Sequence, residues 1–172
     1  MCIRDRVDVA WAVTFPKGEK GGQGVRGKVP FFCHDITPRG VRVPIDDSKT
    51  THPCGAIGVS RLTIIVRDQA LLDETKKIYD AVIGSTGEKV DGGFDFKLKR
   101  VHEVETRDTG AKITLRLPKN EEEQERVRER GFWYGDVVLT TNAKPGKFGG
   151  SAERLDSGER DGGVGGVWLE PA

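Results

Sequence analysis

Five side chains in the first third of the chain could do chemistry: Cys33, His34, Asp35, His52 and Cys54. Thiolate and imidazole together suit zinc. Adjacent Cys33 and His34 on an extended segment point to opposite sides, however, and the usual C-x₂₋₄-C spacing is missing, so no metal ligand is assigned. An imidazole can also lower a thiol pKa, but no third group orients a Cys–His nucleophile pair here. The simpler reading of the cysteines is that of small buried hydrophobes. A pocket remains. Strand alternation sets Phe32 and His34 on one side, where an aromatic ring and an imidazole can face a ligand. Trp11, Phe32 and His52 are then the candidate binding residues, and His34 and Asp35 the candidate acid–base residues. In the structural alternative, His34-Asp35 only holds the Thr37-Pro38 turn and His52-Pro53 only anchors a crossover.

The elements that must position these groups are legible from periodicity. Val7–Pro16 alternates like a strand, and Lys28–Ile36 is a second extended segment. Between them five glycines in residues 18–27 make a flexible loop. Residues 39–59 read as an irregular crossover, because Pro44 and Pro53 interrupt any regular element. Ser60–Asp68 is a β-branched strand, and Asp68 caps a helix over 69–83 that places Leu71, Leu72, Ile78, Tyr79, Val82 and Ile83 on one face and stops at Gly84. Gly93–Thr106 alternates, with Phe94, Phe96 and Leu98 opposite Lys97 and Lys99. A turn at Asp108-Thr109-Gly110 returns the chain through Ala111–Pro118, with Ile113, Leu115 and Leu117 inward. Asn120 caps a surface helix with Glu121–Glu123 in its first turn and Arg126, Arg128 and Arg130 in its last, and Phe132–Thr141 follows as a strand. Residues 142–166 are glycine-rich and polar without periodicity, a flexible loop, and GGVWLEP offers a short terminal strand. No internal repeat is evident.

Composition narrows the function classes. The 172 residues carry 28 Lys+Arg against 27 Asp+Glu, a net charge of +1, which argues against a nucleic-acid or anionic-membrane partner. No run approaches the roughly 18 apolar residues of a membrane span. Three cysteines, an odd count without a C-x-x-C pair, fit reduced thiols, and a cytoplasmic location is expected.

The first six residues, MCIRDR, resemble the translation of a sequencing-library adapter, so residues 1–6 are expected to be a scar and the chain proper to begin near Val7. PFFCHDITPR (30–39), VRVP (41–44) and THPCGAIGV (51–59), followed by LTIIV, resemble the glyoxalase-like domain of the vicinal oxygen chelate superfamily, in proteins where two βαβββ modules are joined by a P-F-F … H-P-x-G-A segment. The resemblance implies an α+β fold. Residues 7–59 would be the end of a truncated first module with its crossover, 60–141 one βαβββ module, and 142–172 a glycine-rich tail. It also implies a small-molecule ligand on a concave sheet and, in many relatives, a divalent metal held by His, Gln or Glu from the first and last strands of the modules. Here Ser60–Asp68 has none of these residues, Phe132–Thr141 offers only Asp136, and Glu170 is the one carboxylate near the end of the last strand. Two readings follow. One is an enzyme acting on an unidentified small molecule, an isomerase, lyase or dioxygenase relative. The other is a non-catalytic binding protein of the same fold. Half a cup leaves a sheet edge uncovered, which makes a homodimer a further expectation.

Overall fold

A computed structural model describes residues 2–4, 7–15, 29–43, 46–99, 110–142, 152–156 and 164–171, and the chain divides into two units, Met1–Thr51 and His52–Ala172. The glycine loop at 18–27, the segment 100–109 with His102 and most of the expected turn, and much of 142–166 lie outside the described residues.

In the first unit β1 (Cys2–Arg4) pairs antiparallel with β2 (Val7–Val9), and β3 (Trp11–Thr14) with β4 (Phe32–Asp35). The strand expected over Val7–Pro16 breaks at Ala10. Its carbonyl accepts the Ile36 and Thr37 N–H groups at 3.0 and 3.1 Å, and its own N–H donates to Thr37 Oγ1 at 3.3 Å. These bonds satisfy a backbone that has left the ladder. The stretch expected to be irregular holds two single-turn helices, α1 (Arg39–Arg42) and α2 (Asp47–Thr50). Pro38 precedes α1, and the Asp46 carboxylate caps α2 by accepting the Ser48 N–H at 2.9 Å.

The second unit is built on a seven-stranded mixed sheet ordered β10-β11-β9-β5-β8-β7-β6. Its first strand, β5 (Ala56–Val66), starts four residues before Ser60 and is followed by α3 (Gln69–Ile83), β6 (Glu88–Val90), β7 (Gly93–Lys97) and β8 (Lys112–Arg116). With β8 parallel to β5 and antiparallel to β7, these five elements form a complete βαβββ module, and the α+β expectation holds. The module closes at Arg116 rather than 141. The short β6 was missed because the residues EKV carry little pattern, yet the Asp91-Gly92 turn that joins it to β7, with Gly92 at φ +68°, is a standard hairpin signal.

Strand β9 (Phe132–Thr141) lies antiparallel to β5 on its other side, β11 (Val164–Pro171) runs parallel to β9, and β10 (Glu153–Arg154) pairs with β11. The terminal strand is thus eight residues long and internal to the sheet. Strand order on the β9 side, β9 then β11 then β10, mirrors β5, β8 and β7 across the β5–β9 pair. This duplication of topology has no counterpart in the sequence because side-chain patterns do not encode strand order.

Cross-strand partners share a face, so register sorts the side chains. Leu62, Ile64, Ile113, Leu115, Phe94 and Phe96 lie on one side and pack with Leu72 and Tyr79 of α3. Ile64, Leu115 and Phe96 are at most 2 % exposed, each stabilising the fold by roughly 1.5–3 kcal/mol through burial. Helix α3 has the expected ends: Asp68 Oδ1 accepts the Leu71 N–H at 2.9 Å, and Gly84 takes the left-handed conformation at φ +72°. Its Asp80 carboxylate accepts the Gly87 N–H at 3.0 Å and so ties the helix end to the approach of β6. Arg61, Thr63, Lys112, Thr114, Asp95 and Lys97 occupy the opposite, polar face. Helix α4 (Glu121–Arg128) packs against β9 and β5, burying Val127 completely and setting the Arg126 guanidinium 5.4 Å from the Trp133 ring centroid.

Candidate functional site

In the first unit the ladder register puts Phe32 opposite Thr14 and His34 opposite Ala12 on one face, and Trp11 opposite Asp35 on the other. Phe32 and His34 therefore do share a side, both exposed, while Trp11 faces away from them. Cys33 is exposed as well, which corrects the expectation of a buried thiol there: among the described residues its two-stranded ladder carries no covering layer. Asp35 is engaged by both Arg42, through Nε and through Nη2 at 3.0 Å, and Arg39, through Nη1 at 3.4 Å. The Arg42 hydrogen bond, aided by both guanidinium charges, outweighs partial desolvation and holds the Asp35 carboxyl below the ordinary range. At neutral pH it is an ionised clamp on α1. His52 belongs to the second unit, exposed at the head of the turn in which the Gly55 N–H donates to the His52 carbonyl at 2.8 Å.

The polar face of the seven-stranded sheet carries a different constellation. Ser60 and Arg61 of β5, Asp95 and Lys97 of β7, Gly110 and Lys112 at β8, and Glu170 of β11 line an open cleft of about 170 Å³. Consecutive residues of a regular strand point to opposite sides. Ser60 and Arg61 reach the same cleft because the β5–β9 register shifts between Val59 and Arg61, and a bulge of this kind re-aims a side chain. The Ser60 hydroxyl donates to Glu170 Oε1 and lies 3.4 Å from the Val138 carbonyl. Asp95 accepts from the Lys112 ammonium at 2.6 Å and from the Thr114 hydroxyl at 2.7 Å. Burial works against the Asp95 charge, but these two hydrogen bonds with the charges of Lys112 and Arg61 win and hold its carboxyl below the ordinary range.

These donors do not fit the divalent metal that the resemblance implied. Both Asp95 oxygens are engaged, Glu170 is bonded to Ser60, and the three cations Arg61, Lys97 and Lys112 oppose a further positive ion. No group of three or more His, Cys, Asp or Glu side chains able to hold a metal occurs among the described residues. Apart from Glu170, noted for its place near the end of the last strand, sequence reasoning passed over the cleft. The missed signal is the alternation of Arg61, Asp95, Lys97, Lys112 and Thr114 with core residues, which read simply as the solvated side of each strand. Nothing in the sequence says that β5, β7, β8 and β11 bring those sides together.

Residues 3–83, which run through the first unit, β5 and α3, match the family model described as a glyoxalase-like domain. No curated protein matches the chain. Among solved structures, methylmalonyl-CoA epimerase from Mycobacterium tuberculosis is similar at 20% identity, covering 70% of this chain and 92% of its own, with a TM-score of 0.39. The family match ends at Ile83, where α3 ends, and strands β6 to β8 complete the βαβββ module beyond it, so residues 3–83 are similar to a glyoxalase-like domain.

Proposed function

We propose that this protein binds and acts on a small polar molecule in the cleft on the polar face of its seven-stranded sheet. The observation that carries the reading is the convergence of charged and hydroxyl side chains from β5, β7, β8 and β11 on one open cleft, where a structural sheet face would be covered by apolar contacts. Glu170 is the acid–base candidate of that cleft, since Ser60 orients its carboxylate and no cation pairs with it among the described residues. Asp95, tied to Lys112, serves to position that lysine.

The engagement of both carboxylates also favours a second reading, a binding protein that holds its ligand without turnover. One experiment separates the two. The full chain is screened against small dicarbonyls, catechols and 2-hydroxy acids by thermal shift, and each stabilising compound is followed by NMR for conversion. Conversion that is lost in Glu170→Gln supports the enzyme; stabilisation without conversion supports the binder; no thermal shift with any compound at millimolar concentration defeats both. The exposed pair Phe32 and His34 is a lesser candidate contact for a ligand of the first unit, read in the same screen through His34→Ala. No described helix is long and apolar enough to cross a membrane, and a cytoplasmic location is part of this proposal. So is a homodimer, because β6 and β10 end the sheet, and light scattering would read it directly.

A further inference from the structure

We propose that Arg61 is the anchor for the carboxylate of a small organic acid, a monoanion seated in the cleft with its charged end on the guanidinium. The inference rests on the cleft reading above and narrows it to a ligand class.

Arg61 is half-buried at the centre of the sheet and has no hydrogen-bond or ion-pair partner among the described residues. A guanidinium that has given up part of its hydration without a partner is costly to keep, and its planar fork matches a carboxylate with two parallel hydrogen bonds. Neither carboxylate of the cleft forms an ion pair with it, although its charge helps to hold Asp95 ionised through space. Asp95 is taken by Lys112 and Thr114, and Glu170 by the Ser60 hydroxyl. The bulge that turns Ser60 into the cleft thus supplies the hydroxyl that engages Glu170, next to an Arg61 without a hydrogen-bond or ion-pair partner among the described residues. Lining charges give the ligand's valence. Lys97 is paired with Glu88 at 3.0 Å and Lys112 with Asp95 at 2.6 Å, so among the described residues Arg61 is the lining cation without a carboxylate partner, and one carboxylate on the ligand answers it. A cleft of about 170 Å³ holds only a few heavy atoms, the size of a small hydroxy or oxo acid.

The test titrates the full chain by calorimetry with three probes of similar size: lactate, the neutral lactamide, and inorganic phosphate. The expected result is that lactate binds, lactamide binds at least tenfold more weakly, and phosphate binds no better than lactate. Arg61→Met should weaken lactate by about 10- to 100-fold, the worth of a charge-assisted bidentate contact, with Arg61→Lys in between and the melting temperature of each variant within a few degrees of wild type. Lactate binding should also weaken as salt is raised. Lactate and lactamide binding equally, phosphate binding more tightly than lactate, or unchanged lactate affinity in a folded Arg61→Met would each overturn the anchor while leaving the cleft reading intact. If no probe binds and the compound screen is also silent, the cleft reading itself falls.

Discussion

The bond that fastens α4 to the sheet should be among the most expensive single contacts to remove. Arg116 at the end of β8 donates from Nη1 and Nη2 to the two carboxylate oxygens of Glu123, both at 2.7 Å, and the Lys119 N–H adds a third bond to the same carboxylate at 2.7 Å. The pair is only 11% and 15% exposed, so solvent screens it poorly. Replacing Glu123 with Gln keeps size and shape but sets an amide N–H₂ against a guanidinium that has no acceptor to spare. Breaking a fully buried pair costs roughly 3–5 kcal/mol and an exposed one under about 1. At this depth about 2–3 kcal/mol is expected, or about 4–12 °C in melting temperature for a chain of this size. Hydrogen bonding from Arg116, against partial desolvation, holds the Glu123 carboxyl below its ordinary value of 4.5. Because its folded pKa is depressed, the stability it contributes is present above the unfolded value and is lost as pH falls through the folded one. The gap between wild type and Glu123→Gln should therefore be full at pH 7 and shrink below about pH 4.5, since protonation does to Glu123 what the substitution does. Urea unfolding followed by tryptophan fluorescence is a suitable assay, because Trp133 sits under Arg126 of the same helix. A gap below about 0.5 kcal/mol at pH 7, the range of inert surface changes, or one that persists unchanged at pH 3, would refute the reasoning.

Two further substitutions test the sheet. Thr140 is 3% exposed and its hydroxyl is buried without a hydrogen-bond partner among the described residues, so Thr140→Val should raise stability by about 1 kcal/mol in urea unfolding; a loss would mean that the hydroxyl is satisfied in solution. A Cβ on Gly93 would stand 2.1 Å from the Leu115 carbonyl oxygen and 2.7 Å from Arg116 Cα, so Gly93→Ala must push β7 away from β8. It should cost more than about 3 kcal/mol and deprotect the Phe96 amide in hydrogen exchange, whereas a wild-type melting temperature would show that the strands can separate freely.

Local chemistry was enough to foresee much of the second unit. Asp68 and Gly84 mark the two ends of α3, Asn120 accepts the Glu123 N–H at 2.9 Å as the cap of α4, and Phe132–Thr141 is β9 to the residue. Caps, alternation and helical periodicity are properties of a few neighbouring residues, and they survive without knowledge of the rest. The β5 bulge, the Arg116–Glu123 bond and the cleft are not of that kind.

By itself, then, the sequence determined where most strands and helices of the second unit lie, which side of each is apolar, and the family that its linker motif resembles. Tertiary structure decided what those segments are for. Strand order set β9 against β5 and carried Glu170 to Ser60 across 110 residues of sequence. It also paired Asp95 with Lys112 and left Arg61 lining the cleft without an ion-pair partner among the described residues. Asp35, acid–base candidate by its neighbours in sequence, became the clamp of α1 because the chain turned two arginines onto it. A charge on a strand reads the same whether its partner is water, another strand or a ligand; only the long-range pairing of the sheet tells them apart.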